Sequence, residues 1–375
     1  MTATDALVVG GGVTGTIAAI ALAEQGAQVT ILDAGINAGS DANAGSLHVQ
    51  MQSRFMRLYP DQVANVEASL PFYREAAEEW VRLDKELGGI DLVRKGGLML
   101  AESAEQLVFL EAKAKREAAK GLAVNILDRS ALDKVAPWLG PQIVGAELCK
   151  DEGKLNPLIA NAKLQALAEQ LGVVRRVTHV TQLDVSPSDI SACTSDGFFG
   201  AEQVIVAAAW GTGDLVAPFG ISIPSQAEPL HMNITESGAP AIHHLVQHAE
   251  RSITLKQFGS GQIVIGGGWP AKSRGDVKPP AVQSASLMGN VALAAKLVPG
   301  IAGLRIIRTW AGMNTTTDGA SVIGRLPGAE RIVMAIPGDA GYTLGPLVGR
   351  AAASIALGQQ PTMDVGRFSP LRFAA

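Results

Sequence analysis

Between an apolar run and a helical pattern, Val8–Ala34 sets Gly10, Gly12 and Gly15 in the spacing Gly-x-Gly-x-x-Gly. Asp33 follows about 20 residues further on. A helix start offers unpaired backbone N–H groups and the positive end of a dipole, so a pyrophosphate docks there if no side chain blocks it. Gly10 permits the tight turn, Gly12 lets the backbone approach the phosphates, and Gly15 lets the helix lie close to the strand. Val13 and Thr14 open that helix and are expected phosphate contacts. Asp33, with Ala34 beside it, is placed to accept the hydroxyls of an adenosine ribose, and its charge would repel a 2′-phosphate. The expectation is a bound dinucleotide; these residues alone do not choose FAD over NAD.

Other stretches also bear on chemistry. Ser40–Gln50, SDANAGSLHVQ, is a small-residue loop with His48 near its end. Pro337–Pro346, PGDAGYTLGP, is a second glycine-rich turn before a helix. His231, Lys256, Gln257 and Trp269 fall in sheet-like segments. His243-His244 lacks a nearby third ligand, so no metal is expected there. No Ser–His–Asp set or paired-carboxylate constellation is evident.

The positioning elements follow from periodicity. Ala6–Val9 and Val29–Leu32 read as buried strands around a helix from Gly12 to Gln25. Helices are expected over 61–87, interrupted near Pro71, and over 104–120, 155–171, 284–297 and 346–357. Strands are expected over 96–101, 173–183, 190–194, 203–207, 231–235, 253–256, 262–266 and 331–335.

Composition narrows the classes. Of 375 residues, 47% are hydrophobic and 18% charged, which is globular rather than disordered. A net charge of −4 gives no footprint for nucleic acid. Cys149 and Cys193 are too far apart in sequence and too few for an iron–sulfur or zinc site. No signal-like start and no run of about 20 apolar residues is found, so the expectation is a cytoplasmic protein without an integral membrane segment.

Across nearly the whole chain, blocks in order resemble the D-amino-acid oxidase, glycine oxidase and sarcosine oxidase family of flavoproteins. They are the opening unit, Ser40–Gln50, Leu155–Val174, Val204–Leu215, Arg308–Gly324 and Pro337–Ala353. The block around Asn43–Phe55 looks most like the FAD-bearing subunits of opine oxidases, relatives of hydrogen cyanide synthase subunits. The resemblance implies an α/β + β fold: a Rossmann-type FAD-binding domain (1–85, 151–222 and 309–375) with an inserted antiparallel-sheet substrate domain (86–150 and 223–308). It implies non-covalent FAD, because no cysteine stands near Met313–Thr317. Ser40, Asn43, Ala44, Gly45, Ser46 and Leu47 would pass the flavin ring. Val174, Ala207, Ala208 and Trp210 would border the adenine end. Gly312, Asn314, Gly338, Gly341, Tyr342, Thr343 and Leu344 would face the pyrimidine edge. His48, His231, Lys256 and Tyr342 are the candidate catalytic side chains.

The implied reaction is oxidation of a C–N bond, with hydride to flavin N5 and an imine that hydrolyses to amino acid and 2-oxo acid. The arginines that clamp a small amino acid in some members are replaced by Asn314 and by Asp339-Ala340; Arg54, Lys256, Lys272 or Arg274 would supply a cation instead. A larger N-substituted amino acid, such as an opine (nopaline or octopine), fits better than glycine. A D-amino-acid or proline/hydroxyproline-type dehydrogenase subunit is the alternative, and an electron-relay flavin subunit without its own substrate is another. By the same resemblance a partner subunit, carrying an iron–sulfur centre in one version, would take the electrons.

Overall fold

The computed structural model describes residues 4–36, 38–186, 189–238, 242–275 and 278–374. Its chain opens with β1 (Thr4–Val9), α1 (Val13–Ala23) and β2 (Val29–Asp33). These sit in a sheet of order Val322–Leu326, Ala329–Ile336, Gly197–Val206, β1, β2, Val174–Val177. Every neighbouring pair along that path is parallel except the first. The residues Leu7, Val8, Val204–Val206 and Ile332–Ile336 have almost no exposed surface, as parallel strands covered on both faces require.

The single strand expected over 173–183 is two. Val174–Val177 pairs with β2, the Thr178 amide closes on the Asp33 carbonyl at 2.8 Å, and Val180–Val185 leaves to pair with Ile190–Thr194.

A second eight-stranded sheet runs Ile306–Thr316, Gln226–Ser237, Gln262–Gly266, Thr254–Gln257, Leu245–His248, Gly97–Ala101, Gly145–Cys149, Val124–Asp128. It is antiparallel apart from the parallel pair Leu245–His248 with Gly97–Ala101. Helix Ser284–Leu297 covers one face, its Leu293, Ala294 and Leu297 packing with Leu98, Leu255 and Ile263. Several of these strands carry no alternation strong enough to announce them, Leu245–His248 and Gly145–Cys149 among them.

Two prolines mislead a sequence reading. Helix Val63–Glu86 runs unbroken through Pro71. Burial of Phe72, Ala76, Ala77, Trp80 and Leu83 along one face outweighs a cost of about 3 kcal/mol for an interior proline. The C-terminal helix begins at Gly341, not Pro346. Pro346 cannot donate to the carbonyl four residues back, which is that of Tyr342; the Trp80 indole N–H donates to it instead, at 3.0 Å.

The C-terminal helix crosses α1 at close range. A Cβ on Gly345 would stand 2.6 Å from Val13 Cγ1, and one on Gly349 would stand 2.4 Å from the Thr14 carbonyl oxygen. Glycine at both positions is what lets the two helices approach and bring their N-termini together.

Candidate functional site

A cavity of about 690 Å³ lies between the two sheets. At one end it is lined by Gly10–Thr14, Asp33, Ala34 and Ala207–Trp210; at the other by Gly338–Thr343, Asn314, His48 and Arg54. The first and last glycine-rich turns of the chain therefore open onto one space.

The opening turn is built around its glycines. Gly10 has φ of 105°, and a Cβ there would sit 2.3 Å from the Ala207 carbonyl oxygen. A Cβ on Gly15 would meet the Gly10 carbonyl at 1.9 Å, so Gly15 holds the turn from behind and does not line the cavity. The Gly12 and Thr14 amides have no acceptor among the described residues, and both residues line the cavity. The Val13 amide donates to Ser40 Oγ at 2.8 Å. Asp33 takes the Gly11 amide at 2.5 Å and the Gly35 amide at 2.8 Å, with Arg175 at 3.3 Å. Its carboxylate thus shapes the turn as well as facing the cavity. Gly11 and Arg175 carry no motif that would single them out in sequence.

The far end is a helix start without a side-chain cap at Ala340. The amides of Gly341, Tyr342 and Thr343 belong to its first turn and line the cavity. The Tyr342 side chain points elsewhere: its hydroxyl donates to Asn161 Oδ1 at 2.8 Å and its ring stacks on Trp80 at 5.1 Å. Asn161 in turn donates to the Ser40 carbonyl at 3.0 Å, tying the helix to the Ser40–Ala44 loop. In that loop Asn43 Oδ1 accepts the Gly45 amide at 2.7 Å.

Leu344 and Leu47 are buried in the hydrophobic core and do not line the cavity. Gly45 and Gly312 stand behind the wall, close against Leu155 and Ala42 respectively. Val174 is an exposed residue on an edge strand.

The candidate catalytic side chains separate. His48 lines the cavity; its amide donates to Thr343 Oγ1 at 2.9 Å. Its Nδ1 accepts from Gln52 Nε2 at 3.2 Å, and Glu152 stands 3.9 Å away. The Gln52 nitrogen also donates to the Gln50 carbonyl at 3.3 Å, which fixes that amide's orientation. With Nδ1 taken up as an acceptor, Nε2 is the ring nitrogen left to donate into the cavity.

His231 borders the cavity, yet its ring bonds Asn233 Oδ1 at 2.8 Å, and Asn233 donates to Asn290 of helix Ser284–Leu297 at 2.9 Å. Its neighbour Met232 faces the opposite way, toward Gly312. Strand alternation thus turns the His231 imidazole to the helix-covered face. Trp269 lies on that face too, against Gly289. Lys256 is fully buried, does not line the cavity, and donates to Ser46 Oγ at 2.6 Å. Burial pushes its pKa down to about 7, with Lys154 adding to the effect.

Behind His48 runs a buried polar network that sequence reading missed. Glu152 accepts from the Val49 amide at 2.9 Å and from Gln50 Nε2 and Gln247 Nε2 at 2.7 Å each. Lys113 donates to Gln50 at 3.0 Å and to Glu117 and Glu147 at 2.8 Å each. Burial pushes Glu147 up to about 9 despite Lys113, and Glu117 contributes in the same direction.

Residues 5–355 match the model of the family described as FAD dependent oxidoreductase (DAO). The chain belongs to this family. The FAD-dependent oxidoreductases it resembles include glycine oxidase of Bacillus licheniformis, 25% identical over 94% of this chain and 93% of the relative. An opine oxidase subunit of Rhizobium meliloti is 27% identical over 87% and 86%. Among solved structures, glycine oxidase from Geobacillus kaustophilus superposes with a TM-score of 0.87 at 23% identity, covering 98% of each chain. L-Proline dehydrogenase from P. horikoshii gives 0.83 at 21%, covering 99% and 98%.

The cofactor of the family is FAD, and the residues fit it. Two uncapped helix N-termini suit a pyrophosphate at one end and an electron-rich ring edge at the other, and a Cβ on Gly10 would have no room. Neither cysteine lines the cavity. No helix among the described residues is long and apolar enough to cross a membrane, and none of their side-chain groupings suits a metal ion.

Proposed function

We propose that this FAD-dependent oxidoreductase oxidises the C–N bond of an N-substituted amino acid of the opine type, giving an imine that hydrolyses to an amino acid and a 2-oxo acid. The supporting observation is the far end of the cavity. Arg54, ion-paired to Glu228, stands there as a cation, and the neutral Asn314 and the acidic Asp339 hold the positions beside it. A small amino acid would meet no free arginine there to grip its carboxylate. Two opine oxidase chains among the relatives, at 27% and 25% identity, support the same reading.

When bound, the flavin supplies the hydride acceptor. The chain's own residues bind and orient. The first-turn amides of Gly12 and Thr14 would hold the pyrophosphate, Asp33 the ribose, and the Gly341–Thr343 amides the edge that gains charge on reduction. The His48 Nε2–H would donate to substrate. Tyr342, His231 and Lys256 act from behind the wall, as supports. Electrons would leave to a partner subunit, as the relatives named as subunits suggest.

Anaerobic titration of the purified chain with opines, proline, D-amino acids and glycine tests this. Bleaching of the flavin by opines at lower concentration than by the others is expected. Bleaching by glycine or proline alone, or by no amine at all, would overturn it.

A further inference from the structure

Asp339 is the one carboxylate at the substrate end of the cavity that no described cation pairs with directly. It lines the cavity, one position before the cap of the C-terminal helix. Its Oδ1 accepts from Asn314 Nδ2 at 2.7 Å, and no donor among the described residues reaches its second oxygen. Arg54, whose charge acts on Asp339, is engaged with Glu228, and Asn314 also reaches Glu228, at 3.3 Å. Arg54, Glu228 and Asp339 therefore leave one negative charge in excess, with only the neutral Asn314 between the two acids. Arg54 is wedged against Gly268, where an added Cβ would stand 2.2 Å from its Nε, so it cannot swing freely to Asp339.

We propose that Asp339, backed by Glu228, selects substrates that carry a positive charge remote from the amine being oxidised. The inference rests on the amine-oxidising reading of this cavity and names the charge pattern of its substrate: an amino acid derivative with a basic side chain. A half-buried carboxylate without a counter-ion is costly, and an arriving cation removes that cost. Burial already pushes the Asp339 carboxyl above its ordinary range, with Glu228 adding to it against the opposing pull of Asn314, Arg54 and His48.

The test uses matched probes on the FAD-loaded protein. Calorimetry with L-arginine and L-norvaline, which differ in the charged end, reads the preference without turnover. Bleaching by N-(1-carboxyethyl)arginine and N-(1-carboxyethyl)norvaline reads it in the reaction. The wild type is expected to favour the cationic member of each pair by about tenfold or more, the scale of one charge-assisted hydrogen bond. Asp339→Asn keeps the bond to Asn314 and should close that gap while leaving norvaline binding unchanged; Asp339→Ser serves if the first variant loses its flavin. Equal wild-type affinity for the two amino acids, or a variant that weakens both alike, would overturn the inference. Equal bleaching by the two derivatives would overturn it too, yet leave amine oxidation standing. Arginine preference without bleaching by either derivative would leave the charge selection standing and remove the opine reading.

Discussion

Replacing Glu147 by Gln should stabilise the protein at neutral pH. Glu147, Glu117 and Lys113 have essentially no exposed surface, so three partners share two carboxyl groups and one ammonium. Oε1 of Glu147 and Oε2 of Glu117 lack donors from the protein, and one proton on Glu147 shared with Glu117 satisfies both. With its pKa raised from 4.5 to about 9, Glu147 is protonated in the native state at pH 7 and ionised in the unfolded chain. The folded protein thus binds the extra proton, and stability falls as pH rises from 4.5 toward 9, at about 1.4 kcal/mol per unit. By pH 7 that amounts to roughly 3 kcal/mol. A glutamine needs no proton: its amide donates to Glu117 and its oxygen accepts from Lys113. Urea unfolding at pH 5, 7 and 8.5 should show the variant ahead by about 1–3 kcal/mol at pH 7, with the lead vanishing toward pH 5. A variant less stable than wild type at pH 7, by a margin that persists at pH 5, would mean that Glu147 is ionised and paired with Lys113. Flavin content should stay unchanged, since Gln50 and Glu152 keep their own partners.

Other substitutions probe the cavity directly. Gly10→Ala puts a Cβ against the Ala207 carbonyl at a positive φ, and the purified protein should emerge colourless or release its flavin on gel filtration. Asp33→Ala removes the acceptor of the Gly11 and Gly35 amides, and FAD affinity measured by fluorescence should fall by about tenfold or more. Gly349→Val drives a side chain into the Thr14 carbonyl and should lower Tm by several degrees, an overpacking cost of about 1–3 kcal/mol. His48→Ala should raise KM more than it lowers kcat if His48 Nε2–H binds substrate; an unchanged KM would remove it from the substrate contacts.

Much of this was legible where the local signal had one physical meaning. Gly10-x-Gly12-x-x-Gly15 after an apolar strand reads as a phosphate turn because only glycine tolerates both the positive φ and the close Ala207 carbonyl. Reading failed where a distant group changed the local rule. Pro346 ends a helix in isolation, but Trp80, far away in sequence, donates to the carbonyl that Pro346 leaves open, and the helix starts at Gly341. Tyr342 consequently turns from a candidate in the cavity into a strut bonded to Asn161. His231 and Trp269 were visible as chemistry-bearing residues, but strand register, which sequence does not display, put His231 on the helix-covered face, and Trp269, just past the strand Gln262–Gly266, packs there too. The buried trio of Lys113, Glu117 and Glu147 left no signal, since its members are ordinary charged residues until the sheet and helix meet.

The same reasoning explains why the site needs both ends of the chain. The first-turn amides of α1 and of the C-terminal helix serve one cavity only because Gly345 and Gly349 let the helices cross without intervening side chains. Neither glycine lines the cavity, yet together they set the distance between the phosphate turn and the turn that carries Asp339. A substitution there should therefore disturb flavin retention and substrate charge preference together, whereas Asp339→Asn should disturb the second alone. That separation follows from geometry: the helix crossing is shared by both functions, and the carboxylate belongs to one.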